Sequence, residues 1–241
     1  MPITLGNRTF APRLFTTLLA IVLIAMLVSL GRWQLHRAEE KRALFDAFAA
    51  GSDATHPITQ QAPKFPRYGR VEAAGRYDET RQILIDNMVN AERAGYFVIT
   101  PFALQSGGWV LVNRGWVPLT ASRSQLPEVR FESAAGQTPT GRLDNLPVAG
   151  IALGHVPPAP GASWPQLTSF PTMADLSAAL GKPLQNRQLL LNPGEPFGYV
   201  RDWHPPGLGP ARHLSYAIQW WSFGALALVL YGYMNWQRGA R

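Results

Sequence analysis

The chain contains no cysteine among its 241 residues. This absence excludes disulfide bonds, thiolate metal sites and cysteine nucleophiles. It leaves the compartment open, because an oxidising space permits disulfides without requiring them.

The sequence also lacks the short motifs of common catalytic machinery. It has no Gly-x-Ser-x-Gly elbow, no phosphate loop ending in Gly-Lys-Ser/Thr and no His-Glu-x-x-His pair. Its 5 histidines are spaced so that no two share one helix face for a metal; they are His36, His56, His155, His204 and His213. A hydrolase or oxidoreductase with its own reacting residues is therefore disfavoured.

Charge is sparse and nowhere concentrated. The chain has 22 Lys and Arg against 15 Asp and Glu, a net charge of +7, but no dense basic run. The sequence therefore does not predict a nucleic-acid partner. A lipid head group, an acidic protein or an anionic cofactor fits the excess positive charge better.

Two long stretches, residues 14–31 and 214–236, carry no charge at all. A helix needs about 20 apolar residues to cross a hydrocarbon core of ~30 Å. The first stretch exceeds the apolar region of a cleaved signal peptide, and no small-x-small cleavage site follows it closely. The second has aromatic residues near both ends and arginines beyond, which favours a spanning helix over a buried soluble one.

These stretches divide the chain into five segments: a cytoplasmic N-terminus (1–13), a first transmembrane helix (14–31), an extramembrane domain (32–212), a second transmembrane helix (213–236) and a cytoplasmic C-terminus (237–241). Both termini then lie on one side of the membrane and the domain lies on the other. Counting basic residues does not fix the orientation. We expect the domain outside the cytoplasm, because long loops translocate largely regardless of their charge.

The first helix is expected to continue beyond the membrane. Apolar positions persist at helical spacing as far as Phe48, and Gly51 is the predicted stop. Trp33 is expected at head-group level, where Trp is enriched, and the charged residues around it are expected to face water or pair locally. This account leaves Gly31 and Gln34 unexplained.

The middle of the chain is predicted to be rich in strand. Apolar alternation in residues 69–87 ends at a turn-prone Asp86–Asn87, and residues 95–104 and 109–119 favour a hairpin across a Gln-Ser-Gly-Gly loop. Shorter strands are predicted within residues 138–145 and 187–195.

One helix is predicted over residues 172–181, with Thr172 as N-cap, Asp175 completing a capping box and Gly181 ending it. The proline-rich residues 147–171 predict an irregular loop. The sequence thus predicts a membrane protein of the α+β class: two transmembrane helices anchor a β-rich, barrel- or sandwich-like extramembrane domain with one or two helices.

His213 differs from the other histidines because it lies at the domain-side edge of the second span. At helical spacing it shares a face with Tyr216, Ala217 and Trp220. A polar side chain on a membrane helix is costly without a partner, and histidine is an axial ligand of haem iron. The alternative is a histidine that meets only water and lipid head groups.

The first span reaches the same membrane edge as the second. Gly31, Trp33 and Gln34 are therefore expected at a depth similar to that of His213, and Gly31 would let the two helices approach closely. The Trp-Gln pair is predicted to form half of a site shared with the second helix.

Five blocks of the sequence resemble a known family. They are "LGRWQLHRAEEK", "ILIDNMVNAERAGYFVITPF", "WVLVNRGWVP", "TGRL" and "HLSYAIQWWSF". They are similar to the signature blocks of the surfeit locus protein 1 family, also called the Shy-one family, of cytochrome c oxidase assembly factors. The blocks occur in the family's order and cover most of the chain from Leu30 to Phe223.

The resemblance implies a protein that is not an enzyme and that assists assembly of haem–copper oxidases, at or near insertion of haem a into subunit I. It implies subunit I as a partner, with haem a synthase as a second candidate. It puts the domain in the bacterial periplasm or the mitochondrial intermembrane space. Because only a short segment precedes the first span, without an Arg/Ser-rich transit peptide, we expect a bacterial inner membrane rather than the mitochondrial one.

In some bacterial members of the family, the histidine that opens the second helix is implicated as a ligand of haem a. The residues predicted here to contact transiently bound haem a are His213 as axial ligand of the iron, Tyr216, Trp220, Trp33, Gln34 and Arg212. Arg32 and Arg114 are alternatives to Arg212 as the partner of a propionate. Arg114 could equally hold a turn at the end of its strand.

Two other function classes remain open at this point. In one, the domain docks on subunit I or on haem a synthase and binds no haem. In the other, the protein modifies haem, which the lack of an acid/base pair or a metal-ligand set disfavours.

Overall fold

The structure is a computed structural model, and it describes residues 3–5, 8–50, 55–59, 65–120, 125–133, 136–148, 155–159 and 161–238. The chain divides into two compact units: a helical unit of Met1–Asp46 and Pro205–Arg241, and a sheet unit of Ala47–His204. The elements in chain order are β1 (Ile3–Leu5), β2 (Arg8–Phe10), α1 (Leu14–Ala50), β3 (His56–Pro57), β4 (Arg70–Glu72), β5 (Gly75–Tyr77), β6 (Ile83–Asn90), β7 (Arg93–Leu104), β8 (Trp109–Pro118), β9 (Thr140–Asp144), β10 (Gln166–Thr168), α2 (Met173–Leu180), β11 (Leu184–Leu191), α3 (Pro210–Asn235) and β12 (Trp236–Arg238).

Two of the helices, α1 and α3, are long and apolar enough to cross a membrane, with mean hydropathies of 2.5 and 1.2 over their most apolar windows. They anchor the chain in a membrane. The 37 residues of α1 correspond to ~55 Å of helix, far more than the ~30 Å of a hydrocarbon core. The helix therefore continues beyond its apolar run, as predicted, while the predicted stop at Gly51 lies outside the described residues.

In the helical unit, α1 and α3 pack against each other in antiparallel register. One contact is at Gly31, where a Cβ would lie only 2.2 Å from Nε1 of the Trp221 indole. Leu27 approaches Gly224 further along, and Ala217 is fully buried. Small residues at such contacts let the backbones come together, which is what drives helix association in lipid.

The membrane helices satisfy their hydroxyl groups internally. Ser29, Ser215 and Ser222 each donate to the backbone carbonyl four residues earlier. Near the start of α1, the hydroxyls of Thr17 and Tyr231 lie 2.6 Å apart and form a hydrogen bond between the two helices.

The termini form a small sheet of their own that the sequence did not reveal. In it β2 pairs antiparallel with both β1 and β12, so that Phe10 lies opposite Trp236. The second helix accordingly begins at Pro210 and ends at Asn235. Trp236, which the sequence analysis included in the second span, belongs to a strand.

The described strands of the sheet unit join in one nine-stranded mixed sheet, in the order β10-β6-β7-β8-β11-β9-β4-β3, with β5 added to β7. The predicted hairpin is present as β7 and β8. The α+β membrane-anchored class is confirmed. Two of the three parallel pairs between described strands, β10 with β6 and β11 with β8, join segments far apart in sequence.

The short helix α2 has the ends that its sequence predicts. The side chain of Thr172 accepts from the backbone N–H of Asp175, and the Asp175 carboxylate accepts from the backbone N–H and the hydroxyl of Thr172 at 2.7 and 2.6 Å. Gly181 ends the helix in the left-handed conformation with φ of 63°, where a glycine carries no steric penalty.

Two local predictions are wrong. Asp86–Asn87 is not a turn: β6 continues through it with a shift of register between Ile85 and Met88, and the chain reverses later at Ala91–Glu92. The stretch 147–171 is not wholly irregular either, because β10 lies within it and pairs with β6. Residues 149–154 and 160 of that stretch lie outside the described residues.

A fully enclosed arginine lies at the centre of the sheet unit. Arg114 on β8 is 2% exposed, and its guanidinium donates to the carbonyls of Phe197 and Val129 at 2.8 and 3.2 Å. The ring of Phe131 lies 3.8 Å from the guanidinium carbon. Burial lowers the pKa of Arg114, while the neighbouring Tyr199 and Tyr77 oppose that shift. The residue thus ties together segments distant in sequence.

The first prediction tests the helix contact with the cysteine-free chain. The ideal Cβ of Gly224 lies 3.8 Å from the Cβ of Leu27, which matches a disulfide. The double variant Leu27→Cys/Gly224→Cys is expected to oxidise almost completely in the membrane. Adding Gly31→Leu forces the Trp221 indole away and is expected to reduce the cross-linked fraction severalfold. The cross-linked fraction is measured as the share of protein that a polymer-linked maleimide does not modify, because only free thiols react with it.

Gly232→Leu is the matched control, because nothing lies within 4 Å of its added Cβ. It is expected to leave cross-linking unchanged. Equal cross-linking in the Gly31→Leu and Gly232→Leu backgrounds would show that Gly31 does not set the helix spacing.

The second prediction concerns the capping box of α2. The hydroxyl and then the backbone N–H of Thr172 hold the pKa of Asp175 below its usual value. This carboxylate therefore stabilises the fold above the unfolded-state pKa of about 4, and the contribution is lost as pH falls through the lower folded value. Asp175→Asn is expected to cost about 0.5–1 kcal/mol near pH 7.

Urea unfolding followed by tryptophan fluorescence at pH 7 and pH 3 measures this difference. We expect the gap between wild type and Asp175→Asn to shrink at pH 3. The exposed Asp202→Asn serves as control and should match the wild type at both values. A gap that stays constant from pH 7 to pH 3 contradicts the assignment.

Candidate functional site

The candidate site lies in the helical unit, where α3 begins. Gly209 is the N-cap and Pro210 occupies the first turn, where its missing N–H costs nothing. The preceding chain is held to α1 by the Lys41 ammonium, which donates to the carbonyl of Pro206 at 2.9 Å. These contacts fix where the first turn of α3, including His213, meets α1.

His213 contacts α1 through a hydrogen bond. Its Nδ1 lies 2.9 Å from Oε1 of Gln34, and the imidazole is half-buried. With the amide oxygen as acceptor, Nδ1 is the donor, and in the neutral imidazole Nε2 then has the lone pair. This is the arrangement that metal-binding histidines adopt, in which the second nitrogen is oriented by an acceptor.

The aromatic residues predicted around His213 are largely exposed. Trp33 is 59% and Tyr216 41% exposed, while Trp220 is half-buried and contacts the ring of Phe223 edge-on. They present apolar surface at the membrane edge on both sides of the Gln34–His213 contact in the helical unit.

Two arginine side chains lie near the same edge. Arg212 precedes His213 and Arg32 precedes Trp33, and both side chains are exposed. Each is therefore accessible to an anionic group. Their neighbours in α1 are partly paired, as in the 2.6 Å ion pair of Arg37 with Glu40.

Arg114 is not available to a ligand. Besides its two carbonyl acceptors, its guanidinium contacts Gln82, Thr100 and Tyr199, all of them neutral. Of the two interpretations of Arg114, the propionate partner is wrong. The structure instead supports the other interpretation, in which Arg114 stabilises the fold, although it connects several segments rather than one turn.

The sequence analysis missed the indole that fills the helix contact. Trp221, not Trp220, lies against Gly31. The signal was present in the sequence, because Trp221 is spaced four residues from Ala217 and three from Gly224, two of the buried positions of α3.

No group of three His, Cys, Asp or Glu side chains that could hold a metal ion occurs within the residues that the structure describes. The site at α1 and α3 therefore offers one imidazole nitrogen together with flat apolar surface and exposed cations. That set suits one axial bond to a planar, anionic, metal-containing molecule.

Comparisons with known proteins agree on one family. The SURF1 family model matches residues 21–225. A SURF1-like protein of Monosiga brevicollis is 27% identical over 95% of this chain and 90% of its own length. A SURF1-like protein of Rickettsia prowazekii is 24% identical over 88% and 86%, and an uncharacterized SURF1-like protein of Mycobacterium bovis is 33% identical over 73% and 64%.

The matched span begins within α1 and ends within α3, so it includes both halves of the Gln34–His213 contact. The chain therefore belongs to the SURF1 family, a family of assembly factors linked to cytochrome oxidase and not known as enzymes.

Proposed function

We propose that this protein assists assembly of a haem–copper cytochrome c oxidase by holding haem a as cargo at His213 before its insertion into subunit I. The observation that carries the proposal is the hydrogen bond from Nδ1 of His213 to Gln34. It orients the ring so that Nε2 of the neutral imidazole can bind haem iron.

The chain's own residues would bind and orient this cargo. Gln34 fixes the tautomer and the ring plane of His213. Trp33, Tyr216 and Trp220 offer apolar surface to the macrocycle, and Arg212 or Arg32 offers charge-assisted hydrogen bonds to a propionate. A single axial bond suits release better than permanent storage.

The location of the site at a membrane edge fits this role. Seventeen residues separate Gln34 from Thr17 on α1, which corresponds to ~26 Å of helix. The two polar contacts between the helices, Gln34–His213 and Thr17–Tyr231, are thus spaced about as far apart as the two faces of a hydrocarbon core of ~30 Å. We place His213 at the periplasmic face of a bacterial inner membrane, with the mitochondrial inner membrane as the alternative.

The third prediction is the direct test of this function. The full-length protein is purified in detergent after co-expression with the enzymes that make haem a, and bound haem is measured from the optical spectrum and by pyridine extraction. Wild type is expected to carry haem a and His213→Ala to lose it. Gln34→Leu is expected to retain 10- to 100-fold less haem a than wild type, because loss of a group that orients a metal ligand typically weakens metal binding by about that factor.

Two controls separate ligation from folding. His56→Ala removes an exposed histidine of the sheet unit and should leave haem content unchanged. Gln34→Glu keeps an acceptor for Nδ1 and should restore binding with a shifted absorption maximum, since a charged acceptor makes the imidazole more basic. A folded wild type without haem a, or a His213→Ala variant with full haem content, would refute the proposal.

The second candidate function is a membrane-anchored chaperone that docks on subunit I or haem a synthase without haem, and Gln219 favours it. The amide is exposed on α3 and makes no hydrogen bond within the described residues. It lies six residues, or ~9 Å, along the helix from His213 towards the membrane interior. An unsatisfied amide at that depth is costly, so its presence indicates a polar partner on another membrane helix.

The fourth prediction follows from Gln219. Gln219→Leu is expected to reduce co-purification of subunit I severalfold while the haem a content of the protein stays unchanged. Ile218→Leu, an exposed neighbour on the same helix, is the control. Undiminished co-purification of subunit I with Gln219→Leu would argue against docking through this face.

A further inference from the structure

The helical unit contains a second recess at the end opposite His213. It is an apolar groove of about 460 Å³ between the beginning of α1 and the end of α3, here called the end groove. Its apolar walls include Leu19, Ala20, Leu23, Ala227, Leu230 and Met234. Nothing in the proposed haem site or the sheet unit uses it.

The depth of the end groove matches one leaflet of a bilayer. It extends from Arg13 to Leu23 along α1, ten residues or ~15 Å of helix. That is half of a hydrocarbon core of ~30 Å. A soluble ligand would have to enter lipid to reach most of its walls, whereas an acyl chain already lies at this depth.

The mouth of the end groove is positively charged. Arg13 lines it and is exposed, and no acidic residue occurs in the first turn of α1. The sequence contains no Asp or Glu in residues 1–38 or 203–241, so no acidic side chain of these segments offers a counter-charge.

We propose that the end groove binds one anionic phospholipid, with an acyl chain along the apolar walls and the phosphate at Arg13. The shape selects a lipid rather than a free phosphate, because the walls are apolar over a full leaflet. The charge selects an anionic lipid rather than a zwitterionic one. Bound there, the lipid joins α1 to α3 at the end where the chain's termini meet.

The fifth prediction tests this site by native mass spectrometry of the full-length protein, released from micelles that contain equal amounts of phosphatidylglycerol and phosphatidylcholine with identical acyl chains. Wild type is expected to retain one phosphatidylglycerol preferentially. Arg13→Gln should lower that retention about fivefold, the effect of one basic residue at an anionic membrane surface. Arg13→Lys should largely restore it.

A second pair of variants tests the apolar walls. Ala227→Phe fills the end groove and should abolish retention, whereas Ala225→Phe, exposed on the same helix outside the groove, should not. Equal retention of both lipids by wild type, detergent as the sole bound molecule, or unchanged retention in both Arg13→Gln and Ala227→Phe would each overturn the proposal. If Ala227→Phe fails to fold, the comparison of phosphatidylglycerol retention by Arg13→Gln and Arg13→Lys still tests the proposal.

Discussion

The close approach of α1 and α3 at Gly31 is the contact on which the helical unit depends. Lipid provides no hydrophobic force between two apolar helices, so their register is decided by packing and by hydrogen bonds. The absent side chain of Gly31 admits the Trp221 indole, and this spacing brings Gln34 within hydrogen-bond distance of His213 one turn away. A bulkier residue at this one position would separate Gln34 from His213.

The features that the sequence could predict are those with local causes. Charge-free runs identify the two membrane helices, a short Gly-containing loop identifies the β7–β8 hairpin, and Thr172, Asp175 and Gly181 delimit α2. The terminal sheet and the parallel pairing of β10 with β6 could not be predicted, because each is a short strand whose partner lies far away in the sequence. Such pairings are set by the tertiary structure and leave no periodic pattern behind.

The candidate site shows the same limit at the level of single residues. The sequence could select His213 and Gln34, since a polar residue near a membrane span needs a partner. It also held a signal for Trp221 in the spacing from Ala217 and Gly224, but that these two positions are buried is evident only in the folded helical unit. Arg114 was ambiguous for another reason: its burial requires acceptors from Val129 and Phe197, which only the folded sheet unit brings to it.

Under the proposed function, the Gln34–His213 hydrogen bond also couples ligand binding to helix packing. The acceptor that fixes the Nδ1 proton belongs to α1, whereas the imidazole belongs to α3. Under the proposed function, a ligand on Nε2 favours the packed helix pair, and by reciprocity anything that separates the pair weakens the bond to the ligand. A partner that draws α3 away through Gln219 would therefore promote release. The polar face that favours docking and the histidine that favours haem binding then serve successive steps of one transfer.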